Sequence, residues 1–170
     1  MKTFSRTVLL LAALSIAACT NNDRFDNDNV TDLNGAGAVQ PGSPGDPTSP
    51  AYFQQSVGDR VLFPVDQSTL TAEGRAVLDG QSQWLLTNTD YMAKIEGHAD
   101  EQGTREYNLA LGARRANAVR EYLISKGVAG SRVQTVSFGK ERPIEICSQE
   151  SCYTKNRRAV TVIAAGGLTG

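Results

Sequence analysis

Apolar residues recur with two different periods between residues 57 and 165, and each change of period marks a new element. Val61-Leu62-Phe63 make a short apolar run halted by Pro64, which predicts a first strand over 60–65. Behind Thr71, whose hydroxyl suits an N-cap, Leu70, Val77, Leu78, Gln81, Trp84 and Leu85 fall close to helical spacing and predict a first helix through 88. Ala93, Ile95 and Gly97 alternate with Met92, Lys94 and Glu96, the mark of a second strand over 91–97. Tyr107, Leu111, Ala118, Val119, Tyr122 and Leu123 then return at three- and four-residue intervals, and Gly127 stands where a stop belongs, so a long helix is predicted over 104–126. Alternation resumes over 132–138 as a third strand closed by Gly139, an irregular stretch around Pro143 follows, and 158–164 give a last strand. The order βαβαββ predicts an α/β fold: a two-layer sandwich with the helices packed on one face of a single mixed sheet.

The flanks lack this periodicity. Residues 1–18 carry Lys2 and Arg6, no acid, and an apolar run from Val8 to Leu14 that is too short to span a bilayer and ends at small residues, as a cleaved secretory signal does. Cys19, directly after Ala17-Ala18, resembles the lipobox of bacterial lipoproteins, which implies cleavage before Cys19 and acylation of that residue. Several acyl chains at about 0.8 kcal/mol per buried methylene hold almost irreversibly. In lipoproteins an Asp after the Cys retains the protein at the inner membrane; here Thr20 follows, so the resemblance implies sorting to the outer membrane with the domain in the periplasm of a Gram-negative bacterium. Residues 19–56 are Asn- and Asp-rich, then Gly- and Pro-rich, with four of the six prolines inside 41–50. That composition predicts a flexible tether, with a root-mean-square span of about 35 Å and a full reach of roughly 120 Å. The folded domain is expected over 57–165, with 166–170 a frayed tail.

Composition narrows the function classes. At 170 residues, 40% hydrophobic and 21% charged, the chain suits one domain with extras. Its net charge of -1, falling to -3 once Lys2 and Arg6 are removed, supplies no basic field for phosphates, which disfavours nucleic acid as a partner. The single histidine, His98, is part of a His-x-Asp pair with no further ligand in pattern, so neither a metal site nor a His-based triad is expected, and His98 reads as structural or groove-lining. Cys147 and Cys152 sit in an irregular stretch of an exported chain, where a disulfide is the expected state; the other possibility, a metal-binding pair, lacks two further ligands nearby.

Candidate chemistry gathers between the second strand and the long helix. Asp100 lies just before the helix, and Asn108 and Arg115, seven residues apart, share one helix face. An acid near one end of a groove and a guanidinium near the other suit a zwitterion, since the carboxylate takes an ammonium and the planar guanidinium takes a carboxylate. A capping acid and a solvated surface arginine are the bland alternatives. Arg157 and Arg158 suit a structural salt bridge, and Trp84 the core.

Three motifs in order are more specific. Glu96-Gly97-His98-Ala99-Asp100, then Tyr107-Asn108-Leu109-Ala110-Leu111-Gly112-Ala113-Arg114-Arg115-Ala116, then Tyr153-Thr154-Lys155-Asn156-Arg157-Arg158-Ala159-Val160 resemble the C-terminal domain of the OmpA-like family across nearly all of 57–164. With the lipobox and tether, the whole chain resembles that family's lipoprotein branch. The resemblance implies a non-catalytic domain that needs no cofactor and binds the stem peptide of peptidoglycan. Asp100 and Arg115 would hold the amino and carboxyl groups of diaminopimelate, with Asn108 and Leu109 beside them and Phe63 and Asp66 bordering the groove. Partners implied are TolB and other proteins of the Tol system, OmpA-type porins, and the outer membrane through the anchor, in service of envelope integrity and cell division. A wall hydrolase and a structural lipoprotein that never touches glycan are the competing classes.

Overall fold

The structure, a computed structural model, describes residues 39–166; the expected signal, Cys19, the tether up to residue 38 and the tail from 167 lie outside the described residues. Four strands form one mixed sheet in the order β1-β4-β2-β3: β1 (Arg60–Leu62), β2 (Tyr91–His98), β3 (Val133–Gly139) and β4 (Arg158–Ala165). β4 runs antiparallel to both neighbours, with Val61 opposite Ala159 and Ile95 opposite Thr161, whereas β2 and β3 are parallel with Ile95 opposite Thr135. β1 and β2 therefore end, and β4 begins, at one edge of the sheet.

The two main helices form where the periodicity places them. Thr71 Oγ1 accepts from Gly74 N at 3.0 Å and opens α2 (Ala72–Thr87), and Thr104 caps α3 (Arg105–Ser125) by accepting from Tyr107 N. α3 stops at Gly127, whose φ of +101° favours a residue without Cβ, while Val128 N closes back on Leu123 O at 3.1 Å. The core joins both helices to the sheet: Leu78 and Leu85 of α2, and Ala116, Val119 and Leu123 of α3, pack with Val61, Ala93, Ile95 and Ala159. α3 lies unusually close to β2. A Cβ at Gly97 would stand 2.7 Å from the Gly112 carbonyl carbon and 3.1 Å from Ala116 Cβ, so the approach depends on glycine in the strand.

Two elements differ from the expected pattern. The first is N-terminal. Residues 49–56, expected in the tether, are part of the folded unit: Ser49 caps Tyr52 N at 3.0 Å to start α1 (Pro50–Tyr52), which continues as a π-helical segment, Phe53–Gly58. Phe53 is buried against Trp84 with ring centroids 4.9 Å apart, and the Trp84 indole donates to Pro47 O at 2.7 Å. Burial of one aromatic, worth about 1.5–3 kcal/mol, offsets the entropy of ordering the proline-rich approach. The second is α4 (Glu150–Asn156), inside the stretch read as irregular. The first strand is also shorter than expected, ending at Leu62, although Phe63 N still donates to Arg157 O at 2.9 Å. Cys147 and Cys152 are joined in a disulfide.

Candidate functional site

Strand polarity decides where the chemistry collects. The ends of β1 and β2, the start of β4 and the first turns of α3 meet at one edge, and a cavity of about 240 Å³ opens among Val65, Asp66, Asp100, Tyr107, Asn108 and Leu111. A larger apolar cleft of about 520 Å³ beside β1, lined by Val61, Leu62, Val77 and Ile144, has no such convergence of buried polar groups.

Asp100 is buried, and its two oxygens divide their duties. Oδ1 accepts from Gln102 N at 3.2 Å, shaping the loop, and Oδ2 accepts from Arg157 Nη1 at 3.0 Å. All five N–H groups of Arg157 have acceptors. Nε donates to Phe63 O at 3.2 Å, and the terminal nitrogens reach Asp100, the Glu150 carboxylate and Thr154 Oγ1. Burial disfavours the charge on Arg157, but hydrogen bonds to Glu150 and Asp100 outweigh it and raise its pKa. In return, the Arg157 hydrogen bond holds the Glu150 carboxyl below its usual range.

Arg115 is completely buried. Its Nε donates to Gln67 O at 2.8 Å, Nη1 to His98 O at 2.8 Å and Nη2 to Pro64 O at 3.2 Å, while the guanidinium lies 5.2 Å from the Phe63 ring centroid. Burial lowers its pKa to about 10, partly countered by Asp100 and Asp66, so it remains cationic at neutral pH.

Of the six residues singled out from sequence, Asp66, Asp100 and Asn108 line the cavity. Asn108 Nδ2 is committed to Gln102 O at 2.6 Å and so pins the loop. Arg115 and Phe63 lie behind the cavity lining, and Leu109 stands apart from it, with its exposed side chain outside the cavity and its carbonyl accepting from Ser137 Oγ at 2.7 Å. Asp66 is the single described non-glycine residue in the left-handed region, at φ +56°, where it accepts from the Tyr107 hydroxyl across the cavity mouth. Tyr107, which the apolar spacing puts on the stripe of the long helix, is instead exposed and lines the cavity, and its hydroxyl reaches Asp66. The link between Arg157 and Asp100, 57 residues apart, is tertiary, with no local signal.

His98 is buried, stacked on Phe138 at 5.5 Å between centroids. Desolvation, with Arg158 and Arg142 nearby and Glu96 opposing them, lowers its pKa to about 4, so it is neutral and structural. Among the described residues, no group of three or more His, Cys, Asp or Glu side chains could hold a metal ion.

A buried carboxylate and two buried guanidiniums gather around a small cavity at the sheet edge of a two-layer α/β sandwich. A family model, the OmpA family, matches residues 62–157, more than half of the chain. Over nearly its full length the chain is similar to the peptidoglycan-associated lipoproteins of Rhizobium meliloti strain 1021 (47% identical, covering 98% of this chain and 93% of the relative) and Mesorhizobium japonicum (49%, covering 94% and 92%). The crystal structure of the peptidoglycan-associated lipoprotein from Burkholderia pseudomallei superposes with a TM-score of 0.63 at 36% identity, covering 71% of this chain and 98% of that one. The chain belongs to the OmpA family, within its branch of peptidoglycan-associated lipoproteins, which are binding proteins and not enzymes.

Proposed function

We propose that this protein is anchored in the outer membrane through an acylated Cys19, faces the periplasm, and binds peptidoglycan non-covalently through the diaminopimelate of the stem peptide. The observation that carries this reading is the convergence of Asp66 and Asp100 on one small cavity with Arg115 behind them. The cavity volume suits one amino-acid head group better than a run of sugars. The ammonium of the ligand pairs with Asp100 and competes with the Tyr107 hydroxyl for Asp66. Its carboxylate reaches Arg115 by exchanging with the Pro64 and Gln67 carbonyls, which now occupy two of the guanidinium donors. Coupling the outer membrane to the wall would place the protein with TolB and other Tol proteins, competing with the wall for an overlapping surface.

The test is calorimetric titration of the mature chain, carrying Cys19→Ser to avoid detergent, with a stem peptide bearing diaminopimelate or lysine at the third position. Lysine lacks the second carboxylate. It should bind about ten- to hundredfold more weakly, and Asp100→Ala should weaken the diaminopimelate peptide by a similar factor. Equal affinity for the two peptides would overturn the ligand assignment, and release of soluble fragments from isolated sacculi would overturn the binding role itself.

A further inference from the structure

Asp100 does not hold its own orientation; the ion pair that aims it is built by a helix too short to stand alone. α4 has seven residues, and an isolated helix of that length is unstable in water. Both of its ends are fixed by contacts outside the helix. At its C-terminus the buried Asn156 side chain accepts from Ile144 N and Glu145 N at 2.9 and 3.2 Å, and donates to Glu145 O and the Glu101 carboxylate at 2.8 Å each. At its N-terminus Cys152 is bonded to Cys147, which ties the first turn to the preceding loop. That first turn carries Glu150, and Thr154 lies one turn later, donating to Glu150 Oε1 at 3.1 Å. Glu150 accepts from both terminal nitrogens of Arg157 and Thr154 from Nη2, while Asp100 shares Nη1 with Glu150.

Glu150 lies within the loop that the disulfide closes, and from it hydrogen bonds run through Thr154 and Arg157 to Asp100 Oδ2. Arg157 is nearly buried, with 4% of its side chain exposed, whereas Glu150 is 63% exposed. An exposed carboxylate gains little from a single ion pair unless something else keeps it in place. Covalent closure of a short loop across the first turn supplies that restraint, and chain-entropy stabilisation of the whole domain by so short a loop is small. The local role exceeds the global one.

We infer that the disulfide-stapled helix α4 is a positioning device for the ligand site: Cys147–Cys152 fixes Glu150, Glu150 and Thr154 orient Arg157, and Arg157 sets the Asp100 carboxylate toward the cavity. Without the staple the first turn of α4 frays, the guanidinium loses its outer acceptors, and it closes more tightly on Asp100, leaving less of the carboxylate for an incoming ammonium. This rests on the reading of Asp100 as a ligand-binding residue.

Four forms of the mature chain test it, each with Cys19→Ser: the otherwise unaltered protein, Cys147→Ala/Cys152→Ala, Glu150→Ala, and Glu150→Gln as the conservative rescue. Each is titrated with the diaminopimelate stem peptide, and the Arg157 Nε–H resonance is followed by NMR. The double cysteine variant and Glu150→Ala should bind about three- to tenfold more weakly with nearly unchanged urea midpoints. Their Arg157 resonance should shift in the same direction, and Glu150→Gln should recover most of the affinity. If the unaltered protein binds and the double cysteine variant binds within twofold of it, the positioning role of the disulfide is overturned. If the unaltered protein itself does not bind, the ligand assignment fails instead, and an unmoved Arg157 resonance in both variants would overturn the proposed series of contacts.

Discussion

Arg115 offers a direct measure of how a binding residue can also hold a fold together. Arg115→Met keeps the stem and removes every donor. The His98 carbonyl, buried within the site, loses its partner at about 1–3 kcal/mol, while the Pro64 and Gln67 carbonyls belong to exposed residues and can turn to water at about 0.5–1 kcal/mol each. The contact with the Phe63 ring contributes about 0.5–1 kcal/mol more. Against these losses, the burial that lowers the guanidinium to about 10 is relieved, returning on the order of 2–3 kcal/mol. The net expectation is a loss of about 1–3 kcal/mol, smaller than the count of lost hydrogen bonds suggests. Arg115→Lys retains a buried charge yet cannot bridge three carbonyls with a planar fork, so it should be less stable than Arg115→Met. Urea unfolding at pH 7 with matched m-values gives both numbers. A lysine variant as stable as the original would refute the account, because a point charge would then replace the fork.

Two further outcomes follow from buried groups. The folded state lowers the His98 pKa from 6.5 to about 4, so on acidification the unfolded chain takes up the proton first; stability is complete above pH 6.5 and falls by up to about 2–3 kcal/mol as pH drops toward 4. The urea midpoint of His98→Gln should lose less between pH 7 and 4.5 than that of the unsubstituted protein, and parallel curves would assign the acid sensitivity to other groups. Gly97→Ala drives a methyl into the Gly112 carbonyl of α3 and should cost about 3 kcal/mol, read as a lowered thermal midpoint, whereas an unchanged midpoint would mean that helix and strand separate freely.

The elements legible in the sequence were those whose burial is periodic. The spacing of Leu78, Leu85, Val119 and Leu123 marks helix faces that do enter the core, and the alternation of Ala93 and Ile95 marks the buried face of β2. α4 has no apolar period: Glu-Ser-Cys-Tyr-Thr-Lys-Asn is helical because a disulfide and Asn156 fix its ends, both of them tertiary constraints. The helical start at Ser49-Pro50 did carry a local signal, a capping serine followed by proline at the first helical position, but it was masked by the prolines around it. At the site, the seven-residue spacing of Asn108 and Arg115 correctly placed both on one buried side of α3. That spacing does not reveal how deep Arg115 lies, because depth depends on the Pro64–Gln67 loop closing over it from another part of the chain.

The seating of the N-terminal arm has a mechanical side. A pull on the described chain at residue 39 reaches the Trp84–Pro47 hydrogen bond and the Phe53 ring before it reaches any strand. None of these residues lines the cavity at the opposite edge of β1 and β2. Under tension the arm would peel first, acting as a sacrificial link that lengthens the connection while the grip on a ligand stays intact.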